Sequence, residues 1–201
     1  VWILVVIFLV PFISLYFINS HYEYKNNNFI TAKIIDVKNS ITYFSRKIEI
    51  PEFEFDGNQL SSFSEVSYIH TKEKTEWVTG ANVWTDKFTE KKLTDFPVRD
   101  YNMTTFGLFV QNNTKITDWM NLETGLRTDY ITDSGFAVLP RISSHPKLTE
   151  QLSSRIGGGF GYKAPTIFSE DSERIQFQNV LPIDDDINKL ERSYGANVDF
   201  T

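Results

Sequence analysis

The sequence predicts an all-β chain whose antiparallel strands form a segment of a transmembrane β-barrel. Three observations predict it. Runs of about ten or more residues alternate apolar and polar side chains, the length a tilted strand needs to cross a bilayer, whereas soluble strands usually hold about five or six. Aromatic residues make up 15% of the chain. They gather near the ends of these runs, at Trp77, Trp84, Phe88, Trp119, Tyr130 and Tyr162, as an interface girdle would. Very short turns also alternate with long polar loops, the pattern of periplasmic turns and extracellular loops.

Taken in order, residues 1–18 are almost wholly apolar, interrupted by Pro11 and Ser14. By length this is a marginal transmembrane helix, or the apolar region of a signal peptide. No basic residues precede it and no small-x-small cleavage pattern follows. A strongly apolar helix tends to arrest a barrel protein at the inner membrane, so a frameshifted upstream stretch is a third reading. An Asn-rich polar linker follows at 21–28. The chain thus divides into an apolar segment with linker, 1–28, and a partial barrel, 29–201, of about eight strands. Both ends look cut, which makes the chain read as part of something larger.

Strands are expected at 29–50 (one long or two short), 61–70, 75–86, 102–115, 118–131, 136–143, 150–163 and 191–201. A loop at 51–60 is expected to turn at Asp56-Gly57. Short turns fall at 71–74, 116–118, 133–135 and around His145 and Pro146. Longer loops fall at 87–100 and 164–190, and no amphipathic helix of convincing length stands out.

The strands have two unlike faces. In 118–131, Met120, Leu122, Leu126 and Tyr130 oppose Asn121, Glu123, Gly125, Arg127 and Asp129. In 150–163, Leu152, Ile156, Phe160 and Tyr162 oppose Arg155, Gly157, Gly159, Gly161 and Lys163. In the last run, Tyr194, Ala196, Val198 and Phe200 oppose Glu191, Ser193, Asn197 and Asp199. Alternation alone admits a soluble sandwich with its apolar face inward. Strand length, aromatic ends and loop pattern favour a barrel with that face in lipid.

Composition excludes several roles. The net charge is −6, so no nucleic-acid partner is expected. There is no cysteine, which removes disulfides, thiolate metal sites and cysteine nucleophiles.

From Ile41 onward the sequence resembles the barrel of TonB-dependent outer-membrane receptors. The carrying segments include WVTGANVWTDKFTE, TTFGLFVQNNTKITDWMNLETGLRTDY, LPRIS, SRIGGGFGYKAPTIFSE and ERSYGANVDF. The most diagnostic are the G-x-F-x-Q strand, E-x-G-x-R-x-D-Y, L-P-R, G-Y-K-A-P-T-x-F and E-x-S-x-G-x-N. The resemblance implies a barrel of about 22 strands closed by a plug. It implies residence in the outer membrane of a Gram-negative bacterium and energised uptake of a scarce ligand: siderophore-iron, haem, cobalamin or a glycan. The implied partners are outer-membrane lipid, the plug domain, the TonB complex and a small ligand. No segment here matches the plug, its TonB-contacting box or the closing strand. A passive channel or structural barrel without energy coupling, and a soluble β-rich binding module, are the alternatives.

Glu123, Arg127, Asp129, Arg141, Arg155, Lys163, Glu191 and Asp199 are the candidate lumen-facing residues. They could touch a plug or ligand, but mutual pairing between adjacent strands is the favoured reading. Gly157, Gly158, Gly159 and Gly161 lack the strand-turn-helix context and Lys-Ser/Thr end of a phosphate loop. They read as aids to strand coiling or plug approach. His21, His70 and His145 share no ligand spacing and read as exposed loop histidines. The acidic run at 184–186 lacks the staggered pattern of a calcium loop. No nucleophile or acid pair has supporting context, so neither an enzyme nor a cofactor is expected.

Overall fold

A computed structural model describes residues 4–8, 31–93, 96–184 and 186–201, with side chains from residue 33 onward. The chain is all-β. Among the described residues nine antiparallel strands form one sheet in which each pairs with its neighbours in sequence. They are β1 (Leu4–Phe8), β2 (Thr31–Ile50), β3 (Phe53–Lys72), β4 (Thr75–Glu90) and β5 (Tyr101–Thr117). Then come β6 (Met120–Ile131), β7 (Gly135–Pro146), β8 (Ser154–Lys163), a one-turn helix α1 (Glu170–Arg174) and β9 (Glu191–Phe200). Among the described residues the sheet does not close into a barrel: β1 and β9 are its two edges.

Local differences from the sequence reading have physical causes. Leu4–Phe8, where a marginal transmembrane helix is one of three sequence readings, is a strand paired with β2. The rest of the apolar segment and linker, including His21, lies outside the described residues. No described helix is long and apolar enough to cross a membrane. The turn expected at Asp56-Gly57 is instead at 51–52, where Glu52 takes a left-handed φ of 66°. Tight hairpins need such a residue. Gly57 lies inside β3, where a side chain's Cβ would come within 2.6 Å of the Phe88 ring. Its role is to let a ring pass. Pro146 and His145, expected in a turn, belong to β7, and the connection is 147–153. Both long loops, 91–100 and 164–190, leave the same end of the sheet.

Register sorts the side chains into two faces. On one, Val37, Val66, Ala81, Leu108, Thr128 and Val138 form a row across six strands. On the other, the neighbouring row is Lys38, Glu65, Asn82, Gly107, Asp129 and Ala137. The apolar face is bare: Leu108 is 61% and Phe136 65% exposed. Ser67, Asn82, Thr105, Asp129 and Ser143, all on the polar face, are buried. This inverts the usual partition of residue types. The apolar stretch of β3 from Leu60 to Tyr68 covers about 27 Å of strand. Beyond it the same face carries Glu54 and Asp56 at one end and Lys72 at the other.

The small hydrophobic core lies past the band, on the polar face. Ile48, Phe55 and Phe88 from three strand ends pack with Ile167 and Phe177 from segment 164–190. Phe177 stacks on Phe55, centroids 4.6 Å apart, and Arg46 sits over the Phe177 ring at 5.0 Å. Arg46 Nη1 also meets Glu173 at 2.5 Å. Buried Arg99 pairs with Glu90 and donates from Nη1 to the Phe177 carbonyl at 2.5 Å. Phe177 has φ 62°, an outlier for a bulky residue. The contacts on its ring and carbonyl hold it there. The segment read as an aperiodic loop is thus strapped across the polar face of β2–β4.

Candidate functional site

The polar face of β4, β5 and β6 and the residues ending β8 enclose a cavity of about 480 Å³. Trp84, Met103 and Leu139 supply its apolar lining, and Asp86, Thr105, Arg127 and Asp129 its polar one. Tyr162, Lys163 and Thr166 form the opposite wall. Period-2 side chains on β4, β5, β6 and β7 in fixed register put Trp84, Asp86, Met103, Thr105, Arg127, Asp129 and Leu139 on one surface although they lie far apart in sequence.

Asp129 anchors the site and is 2% exposed. A buried carboxylate costs several kcal/mol unless it is paired and hydrogen-bonded. Here Arg127 Nε donates to both carboxylate oxygens at 2.9 Å. The Tyr162 hydroxyl donates to Oδ2 at 2.9 Å, and Arg127 Nη2 donates to Asn82 Oδ1 at 3.3 Å. Asn82 and Asp129 are register partners of Gly107 on the strand between them. A Cβ on Gly107 would lie 2.6 Å from Asp129 Oδ1 and closer still to Asn82 Oδ1. The glycine is the gap through which the network joins β4 to β6.

Asp86 accepts on both oxygens as well. Gln59 Nε2 donates to its two oxygens at 2.8 and 3.0 Å, and Ser61 Oγ donates at 2.9 Å. Tyr101 adds a long bond of 3.4 Å. The Lys163 backbone pairs with Glu191 on β9, but its ammonium has no ion pair or hydrogen bond among the described residues. The cavity therefore combines acids whose acceptors are occupied, an apolar floor and unengaged cationic donors. That set can hold a small molecule by charge and by apolar contact.

The predicted residues divide into groups. Arg127, Asp129 and Lys163 meet at the cavity. Glu123 pairs with Arg141 at 3.1 Å and lies 3.9 Å from His145. Arg155 Nε reaches His145 Nδ1 at 3.2 Å, making a second cluster further down the polar face. His145 is therefore a strand residue among charges rather than a loop histidine. Glu191 and Asp199 lie on β9 in register with Lys163 and Arg155, and Asp199 accepts from Asn197 at 3.0 Å. Asn82, Trp84, Asp86, Gly107 and Tyr162 escaped the sequence reading of the site. For Trp84 the signal existed, since it shares parity with Asn82 on β4. Trp84 and Phe88 lie on the polar face and Tyr162 bonds to Asp129, so these three do not belong to an outward girdle. Trp77 and Tyr130 do lie on the apolar face. Among the described residues no three His, Asp or Glu gather as a metal site. No protein-family model matches the chain, and no curated protein matches it.

Proposed function

We propose that this chain is part of an outer-membrane TonB-dependent receptor, lining the path by which a scarce ligand is taken up. One observation carries the reading. Segments quoted separately for the family resemblance converge on one site. Gly107 of G-x-F-x-Q lies beneath the network, and Arg127 and Asp129 come from E-x-G-x-R-x-D-Y. Leu139 comes from L-P-R, and Tyr162, Lys163 and Thr166 from G-Y-K-A-P-T. The exposed apolar band supports a lipid-facing surface, and the buried polar face a lumen wall. Lipid, a plug domain, the TonB complex and the transported ligand are the partners this role requires.

Two measurements test it. The chain is expected to reach its β-sheet circular dichroism in detergent micelles and to aggregate in plain buffer. A folded monomer in plain buffer would sink the membrane reading. In the source bacterium, loss of the gene is expected to abolish uptake of one labelled ligand among a ferric siderophore, haem, cobalamin and a glycan. A protonophore is expected to abolish the same uptake. Uptake that survives the protonophore would mark a passive channel instead.

A further inference from the structure

We infer that the cavity beside the Arg127–Asp129 pair is a binding site for a small organic anion with an apolar, flat body. This deepens the transport reading by naming the chemistry of what the polar face receives, and it rests on that face being water-filled. The argument is an accounting of donors and acceptors. Every buried polar group needs a partner, and the two carboxylates at the cavity have theirs. Asp129 is occupied by Arg127 and Tyr162, and Asp86 by Gln59 and Ser61. What remains is of one sign. The Lys163 ammonium makes no hydrogen bond or ion pair among the described residues, although its backbone pairs with Glu191. Arg127 uses Nε and Nη2 and leaves Nη1. A ligand that complements these groups brings acceptors and negative charge, because charge-assisted bonds are the stronger kind.

The rest of the lining sets the ligand's body. Trp84 is 51% exposed although it lies on the polar face. Together with the half-buried Met103 and Leu139 it offers apolar surface to the cavity. About 480 Å³ lies within the usual range for small-molecule sites. A flat ring lying on Trp84 with its carboxylate toward Lys163 and Arg127 uses both halves of the cavity.

The test uses naphthalene-2-carboxylate and its neutral carboxamide, with the micelle-folded chain carrying W2F, W77F and W119F so that Trp84 is the sole tryptophan. The carboxylate is expected to quench Trp84 saturably at one equivalent. The carboxamide is expected to bind about tenfold more weakly, the loss of one charge-assisted bond. Micelles alone favour the neutral amide, so the order of the two probes separates the site from partitioning. Lys163→Gln is expected to weaken the carboxylate about tenfold and leave the circular dichroism unchanged, since the Lys163 ammonium makes no described hydrogen bond or ion pair and the backbone pairing with Glu191 is kept. Equal binding of the two probes, an unaffected Lys163→Gln variant, or no saturable quenching by folded protein would overturn the proposal. Folding in micelles without binding removes the site and leaves the membrane reading. Binding by chain folded in plain buffer keeps the site and removes the membrane reading.

Discussion

The Tyr162 hydroxyl donates to Asp129 Oδ2 at 2.9 Å, tying the end of β8 to β6 two residues before that strand's end. In register these strands are separated by β7, and β7 pairs with β8 only over Arg141–Ser144. The bond spans the place where that ladder has ended. Tyr162→Phe keeps the ring and removes one of Asp129's donors. The expected cost is about 1–3 kcal/mol, that of under-satisfying a buried charged acceptor. Denaturant unfolding of the micelle-bound chain measures it, and an unchanged midpoint would show that the bond contributes nothing.

Gly107 gives a sharper contrast. Alanine there forces a Cβ to within 2.6 Å of Asp129 Oδ1, while a Cβ on Gly195 meets nothing within 4 Å. Gly107→Ala is expected to destabilise by about 1–3 kcal/mol through overpacking. Gly195→Ala is expected to be neutral or slightly stabilising, because alanine fits a strand better than glycine. Equal effects in the same unfolding assay would mean that the network can shift aside.

In the turn between β5 and β6, Lys115 holds the Asp118 carboxyl below the ordinary carboxylate range. Its hydrogen bond is the main cause, followed by its charge, with Lys74 adding to it. A group whose folded pKa is depressed contributes stability above its unfolded pKa and loses it as pH falls through the folded value. Lys115→Met is expected to move the Asp118 titration upward toward the ordinary carboxylate value. Carboxyl-carbon NMR shifts against pH report this directly. An unmoved midpoint would exclude Lys115 as the cause.

Most of the fold was legible because a two-residue period marks nearly every strand. The opposition of Leu126 to Arg127, or of Val198 to Asp199, needs no long-range information. The pattern is ambiguous where one residue type serves two purposes. Gly57 looked like a turn glycine but clears the Phe88 ring, while the real turn uses Glu52. Trp84 and Phe88 looked like girdle aromatics because they lie near a strand end, yet their parity put them with Asn82. Segment 164–190 was opaque for another reason. Its order comes from contacts such as Arg99 with the Phe177 carbonyl, 78 residues apart, and no local pattern encodes them. The site was half legible: Arg127, Asp129 and Lys163 are charged and stood out, but their neighbours on other strands are set by register.

The strap can be released selectively. Arg99 is buried, neutralises Glu90 and bonds to Phe177. Arg99→Met leaves the Glu90 carboxylate buried and unpaired, at an expected cost of about 3–5 kcal/mol. The loss should be local. Amide exchange in 164–190 is expected to accelerate while β5 and β6 keep their protection. Adding Glu90→Gln should restore part of it, since the stranded charge is gone. Uniform acceleration throughout the sheet would show instead that the strap and the strands unfold together.

Leu108 decides what the bare face touches. It lies in the middle of the apolar row, flanked by Ala81 and Thr128, and is 61% exposed. On a soluble sheet, Leu108→Arg would replace an exposed leucine with a charge and change stability by less than about 0.5 kcal/mol. On a lipid-facing surface the guanidinium must enter hydrocarbon or distort the bilayer, at about 2–4 kcal/mol near the midplane and far less near the headgroups. Lys47→Arg, on the same face but beyond the band, supplies the control. A large loss at Leu108 with none at Lys47, in vesicle-inserted protein, is the expected pair of results. Equal, small effects at both would place the bare face in water.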